Sequence, residues 1–300
     1  MRFLSIPLAI LAMTLTTTPT FAADPAGVFR MKLGDFTVVT LKDAQGMRPL
    51  DKLIANPEEI PNSEVKTPDD PAPLGVNAFL VDTGASLVLI DSGNGQAANG
   101  QTLANLRAAG YQPEQVTTVL LTHLHGDHVG GMAMDGKPVY PNATVYLERR
   151  EANFWLGPEA LQTAPDSRRP GMEKARVNLE PYEKAGKLVL FDGARTLLPG
   201  IDSVPAYGHT PGHTAYMLES KGERLLVWGD IIHIQQLQLP NPNVSLVFDV
   251  DALMARETRK TFLAHAVAQG YPIAGMHMAF PGIGYIKAAE TGYRWEPVSN

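Results

Sequence analysis

Apolar positions along the chain fall into short β-branched runs cut off by turn residues, and into three longer stretches with helical spacing. Phe36 to Lys42, Val76 to Val81, Leu87 to Asp91, Val116 to Leu121 and Leu188 to Phe191 predict strands. Asp82-Thr83-Gly84 reads as a turn between the second and third of these. Ala215 to Leu218 and Arg224 to Trp228 flank Lys221-Gly222 and predict a hairpin, and Tyr271 to Gly275 predicts a final short strand. Gln101 to Tyr111 (with Gly110 as its cap), Arg149 to Trp155 and Asp251 to Ala268 predict helices. In the last of them Phe262 stacks over Ala266 and Leu263 over Val267, four residues apart. Alternation of strands and helices predicts an α/β protein.

Residues 55 to 75 break the pattern. Pro57, Pro61, Pro68, Pro71 and Pro73 stand among acidic residues, which predicts a long surface loop, either a plain connector or one with a lid or subunit-contact role. No repeat at a fixed period and no low-complexity linker is visible, so residues 23 to 300 read as a single unit. The N-terminus follows a different logic. Met1 and Arg2 precede a mostly apolar run, Phe3 to Leu15, and then small residues up to Ala22-Ala23. That order predicts a secretory signal over residues 1–22, and so a periplasmic or secreted protein. The apolar run is short for a membrane span, and nothing later reaches that length, so no membrane association is expected after cleavage.

Composition narrows the chemistry. The 300 residues are 44% hydrophobic and 19% charged, as in ordinary globular proteins. Lys and Arg number 25 and Asp and Glu 31, a net charge of −6 without a basic run, which argues against a nucleic-acid partner. The chain has no cysteine. Disulfides, thiolate metal sites and a cysteine nucleophile are therefore excluded.

Histidine and aspartate remain as candidate metal ligands. Thr122-His123-Leu124-His125-Gly126-Asp127-His128 follows an apolar strand and holds three histidines and an aspartate within six residues. His209 stands in Gly208-His209-Thr210-Pro211-Gly212-His213-Thr214, Asp230 ends a strand, and His277 follows another. Each lies at a strand end or in the loop after it, where α/β folds place their sites. Imidazole and carboxylate are the ligands a cysteine-free chain can offer zinc and similar ions. We therefore take His123, His125, Asp127, His128, His209, Asp230 and His277 as metal ligands. His213 is expected to orient its loop, and His265, within the last helix, to be structural or solvated.

The order His-x-His-x-Asp-His, then His, Asp and His, resembles the metallo-β-lactamase superfamily. The intervals of 81, 21 and 47 residues after His128 are similar to those of its methyl parathion hydrolase and lactonase group. So are residues 109–116, 208–214 and 280–286. The resemblance implies an αβ/βα four-layer sandwich with two divalent ions, most simply Zn²⁺. His123, His125 and His209 would hold one ion, Asp127, His128 and His277 the other, and Asp230 would bridge them. Related proteins are commonly homodimers, so a homodimer is expected.

Two close cations lower the pKa of a shared water, and direct attack by the resulting hydroxide is the simplest hydrolysis. Asp127, Asp230 and His233 are the expected catalytic residues. Phe154, Trp155, His233, Leu246 and Phe248 are the expected substrate pocket, on their similarity to positions in the resembling group. The candidate substrates are small-molecule lactones, aryl esters and phosphotriesters. His233, three residues after Asp230, stands where lactonases of the family carry a tyrosine that assists at the carbonyl and where methyl parathion hydrolase carries a leucine. A polar donor there suits a carbonyl substrate. The expectation is thus a lactone or aryl-ester hydrolase with at most weak phosphotriesterase activity. A methyl parathion-type phosphotriesterase is the alternative, and a β-lactamase-like or other metallohydrolase comes after it.

Overall fold

A computed structural model describes residues 24–59 and 71–298. The expected signal, residues 1–22, and the middle of the proline-rich segment lie outside the described residues. Seven strands build the first sheet. β1 (Val28–Leu33), β2 (Phe36–Pro49), β3 (Pro71–Asp82) and β4 (Leu87–Ile90) pair antiparallel in sequence order, and β5 (Thr118–Leu120) joins parallel to β4. After a small separate hairpin of β6 (Ala133–Met134) and β7 (Lys137–Pro138), β8 (Thr144–Glu148) and β9 (Leu188–Phe191) complete the sheet in parallel.

The second sheet takes its strands in chain order: β10 (Arg195–Leu198), β11 (Ile201–Pro205), β12 (Thr214–Ser220), β13 (Glu223–Val227), β14 (Ile273–Ala274), β15 (Ile283–Ala288) and β16 (Tyr293–Pro297). Only β13 and β14 run parallel. The helices are α1 (Thr102–Ala108), α2 (Gly126–Val129), α3 (Arg149–Leu156), α4 (Ala160–Thr163), α5 (Arg169–Lys184), α6 (Gln235–Gln238) and α7 (Ala252–Gln269). Among the described residues, no helix is long and apolar enough to cross a membrane.

Period-two alternation within the strands produces four layers. Val38, Phe79, Val81, Val88 and Ile90 face the second sheet and pack with Ile201, Tyr216, Leu218, Leu225 and Val227. The intervening Val39, Ala78, Leu80 and Leu89 face outward and are covered by Leu106 of α1, Trp155 of α3 and Leu179 of α5. On the far side, Leu226 and Ile273 lie beneath Phe262, Leu263 and Ala266 of α7. The order helix, sheet, sheet, helix is that of the metallo-β-lactamase fold, as the resemblance implies. It explains why several strands are apolar at every position: both of their faces are buried.

Three expectations need correction. Pro71 and Pro73 do not belong to a loop; they start β3, paired opposite Pro49 and Met47 of β2. That end of β3 has no neighbour on its other side, because β4 pairs only from Phe79 onward, so proline leaves no ladder bond unmade. The strand near Tyr271 is not the last, since β15 and β16 follow it. The sequence reading assigns no helix between Trp155 and Leu188, yet α5 runs 16 residues there. Pro170 sits in its first turn, where a missing N–H costs nothing, and Pro181 lies in its final turn.

Candidate metal centre

All seven expected ligands come to one edge of the sandwich, beyond the C-terminal ends of strands from both sheets. β5 leads through Leu121 and Thr122 to His123, and His125 precedes α2, which carries Asp127 and His128. From the second sheet, His209 lies between β11 and β12, Asp230 after β13 and His277 after β14. The two sheets are tied together at this edge. Thr214 N–H donates to the Thr122 carbonyl at 2.9 Å. Asn77 of β3 donates from its side chain to the carbonyls of Met276 and Met278, at 3.1 and 2.9 Å, and so grips the His277 loop.

Asp230 is the hub. Its Oδ2 lies 3.3 Å from His209 Nε2, 3.5 Å from His123 Nε2 and 3.0 Å from His277 Nε2. Its Oδ1 lies 3.2 Å from His128 Nε2. His125 Nδ1 is 3.0 Å from the Nε2 atoms of both His123 and His209. Asp127 faces His128 at 3.7 Å and His277 at 3.6 Å. Three overlapping clusters follow, each with its donor atoms within 4.8 Å of one another: His123, His125, His209 and Asp230; Asp127, His128 and His277; and Asp230, His233 and His277. His233 thus also stands at ligand distance, although it is not among the expected ligands.

The surroundings aim these donors. His128 Nδ1 donates to Asp91 Oδ2 at 2.8 Å, His209 Nδ1 to Asp249 Oδ1 at 2.9 Å and His277 Nδ1 to the Gly75 carbonyl at 2.7 Å. His123 Nδ1 is 3.0 Å from Thr122 Oγ1, whose proton goes to Asp91. In each ring Nε2 is left pointing inward, the atom that ligation requires. Against the downward push of burial, the neighbouring carboxylates raise His128, His209 (to about 9) and His277. Burial pushes His123 and His125 well below the usual imidazole range, and their histidine neighbours push the same way. Both rings are neutral and able to coordinate. Burial alone would raise Asp230, but His128, His277 and His123 outweigh it and hold the carboxylate well below its ordinary value.

This set fits divalent cations. His128 Nε2 and Asp230 Oδ1 are buried and have no hydrogen-bond partner, an arrangement that is costly unless something else satisfies them. Five imidazoles and two carboxylates without a thiolate suit zinc and comparable borderline ions.

His213 is placed differently. Its Nδ1 donates to the Ala206 carbonyl at 2.8 Å and its Nε2 accepts from Asp230 N–H at 3.0 Å. Burial lowers it to about 3, which keeps it neutral for that acceptor role. His265 pairs with the Tyr271 hydroxyl at 2.7 Å, away from the centre.

A cavity of about 250 Å³ opens onto the cluster, walled by Leu74, Gly126, His233 and Phe248. His233 is buried, with Nε2 3.0 Å from Asp230 Oδ2 and its ring stacked on His277 at 4.7 Å. Gln238 fixes its backbone, accepting from His233 N–H at 2.8 Å. The other expected pocket residues are displaced from the wall. Trp155 is buried beneath the site and meets the edge of His125 at 5.3 Å. Phe154 packs against the helical layer with Arg168 over its ring. Leu246 is buried in a satellite cluster with Leu50, Leu53 and Ile54. The chain turns at Val247 and Phe248, straight after the isolated bridge of Leu246 to Ile54, so Phe248 faces the cavity and Leu246, two residues earlier, does not.

Residues 71–265 match the metallo-β-lactamase superfamily, and the chain belongs to that family. The solved structure of a hydrolase of the superfamily, AbOPH, is 34% identical, with a TM-score of 0.85, covering 93% of this chain and 99% of that one. AidC, a dizinc quorum-quenching lactonase solved with its N-hexanoyl-L-homoserine product, is 28% identical with a TM-score of 0.82, covering 91% and 98%. An N-acyl homoserine lactonase of a Bacillus species is 25% identical over 177 residues, 52% of this chain. The chain spans 62% of that lactonase and 65% of protein YobT of Bacillus subtilis.

Proposed function

We propose that the protein is a metal-dependent hydrolase that opens lactones or cleaves aryl esters. The observation that carries this reading is the convergence of Asp127, Asp230 and five histidines at one edge of the sandwich, of which His125, Asp127, Asp230 and His277 line an open cavity, with a further histidine, His233, on its wall. Two divalent cations held by this set supply an activated water and a Lewis acid at neutral pH. The protein's own residues supply the rest. Leu74 and Phe248 offer apolar surface to a ring or aryl group. His233, whose ring is neutral and lies 3.0 Å from Asp230 Oδ2, places a polar side chain beside the reacting carbonyl. Asp249 and Asp91 hold the ligand rings so that the floor stays rigid when substrate enters. Lactonases among the relatives favour a carbonyl substrate. The first 22 residues would direct export, which N-terminal sequencing of the purified protein checks.

The test compares initial rates of the zinc-loaded protein on dihydrocoumarin, a long-chain acyl-homoserine lactone and methyl parathion. A lactone should lead in kcat/KM by orders of magnitude, and dominance of methyl parathion would replace this reading with a phosphotriesterase. His233→Leu should lower lactone turnover while sparing or raising phosphotriester turnover. An equal loss on both would remove His233 from carbonyl recognition.

A further inference from the structure

A second cavity, about 440 Å³, adjoins the metal centre on the side away from Phe248. It shares Leu74, Gly126 and Asp127 with the first, so the two lie side by side. Its remaining wall includes Gln45, Asn94, Arg48 and Lys174. Arg48 is exposed and Lys174 half-buried, while other basic side chains of this acidic chain pair with carboxylates: Arg149 with Asp192, Lys184 with Glu180 and Lys260 with Glu257. Among the described residues, neither Arg48 nor Lys174 forms an ion pair. Lys174 Nζ rests instead on the carbonyls of Gly126, at 3.3 Å, and Asn94, at 3.5 Å. Gly126 lies between two expected ligands, His125 and Asp127, so this ammonium stands one residue from the centre. Asp127, the cavity's one carboxylate, faces His128 and His277.

Resting on the hydrolase reading, we propose that Arg48 and Lys174 seat a carboxylate carried by the substrate, and so set a preference for anionic lactones or esters. Arg48 offers a planar fork suited to a carboxylate, and Lys174 a point charge in the same cavity. Carboxylate probes bind here while the reacting bond lies over Asp230 in the first cavity. Each contact is a partly exposed charge pair, so the two together favour the charged substrate about tenfold, equivalent to about 1.4 kcal/mol.

The test uses two aryl esters of equal size and nearly equal leaving-group chemistry, 4-(carboxymethyl)phenyl acetate and its carboxamide. For the metal-loaded protein at low ionic strength, the acid should exceed the amide about tenfold in kcat/KM, through KM rather than kcat. The ratio should fall toward one in Arg48→Gln with Lys174→Gln, and it should shrink as salt screens the pair. Arg48→Gln alone, which touches no ligand loop, should remove about half of the preference on a logarithmic scale. A ratio at or below one, or one that the substitutions leave unchanged, overturns the proposal. If neither ester is cleaved, the hydrolase reading fails. Calorimetric binding of 4-hydroxyphenylacetate against its amide then still decides the preference: equal affinities overturn it, and a tenfold difference that disappears in the double variant supports it.

Discussion

Single side chains around the ligands decide how well the centre is aimed. Asp91 accepts from Thr122 N–H at 2.8 Å, from Thr122 Oγ1 at 2.7 Å and from His128 Nδ1 at 2.8 Å, so one carboxylate orients two ligand rings. Asp91→Asn should weaken metal binding about 10- to 100-fold, read by chelator competition; unchanged affinity would show that His128 is held by packing alone. Asp249 is set similarly, held down at about 2 by His209 and Arg259 against the upward push of burial. His213 acts through the backbone. His213→Ala leaves Asp230 N–H buried and unpaired beside a void, and should cost about 2–4 kcal/mol in denaturant unfolding. His213 was legible as a residue that orients its loop, but neither aspartate was, because an isolated Asp in Leu-Ile-Asp-Ser-Gly or Phe-Asp-Val looks like any turn residue. The ligands themselves were legible because three histidines and an aspartate within six residues rarely serve packing.

Elements carry the ligands as rigid pieces, and their junctions are where the centre is vulnerable. Glu151 of α3 accepts from Leu124 N–H at 3.0 Å and Gly212 N–H at 2.9 Å, clamping the His123 and His209 loops to one helix. Glu151→Ala strands both donors inside the protein and should cost about 2–4 kcal/mol while loosening metal binding; full metal affinity in a destabilised variant would separate the two roles. Gly208 precedes His209 at φ +124°, and a Cβ there would lie 2.3 Å from Ala255 N at the start of α7. Gly208→Ala should therefore lower metal stoichiometry toward one ion, as measured by elemental analysis, with the Asp127 cluster retained. Prediction at this scale worked best for long periodic segments such as Asp251 to Ala268. It failed at the start of β3, where proline reads as a breaker, because only the neighbouring strand shows that the missing N–H was never needed.

For the molecule as a whole, the centre joins the two sheets. His123, His125, Asp127 and His128 belong to the first sheet's loops, and His209, Asp230 and His277 to the second's, so bound ions would cross-link the sandwich at its open edge. Metal binding to the folded state alone adds about 3–4 kcal/mol at a hundred to a thousand times Kd, or about 5–15 °C in a protein of this size. Scanning calorimetry with and without a chelator should show a drop of that order, reversed by zinc. An unchanged transition would mean that the packed core between the sheets holds this edge without ions.

Sequence by itself determined the α/β class, the seven candidate donors and the absence of thiolate chemistry. These depend on residue identity and local spacing, which the chain carries along its length. Tertiary structure alone decided which donors share a cluster, which carboxylates and carbonyls aim them, and that Trp155 and Leu246 lie under the site while Phe248 and His233 face its cavity. The Arg48–Lys174 wall is of the same kind. These residues are 126 positions apart in sequence and meet only because β2 and α5 are brought to the same edge by the packing of the first sheet. Long-range proximity of that sort is set by how buried faces stack, and one-dimensional periodicity does not encode it.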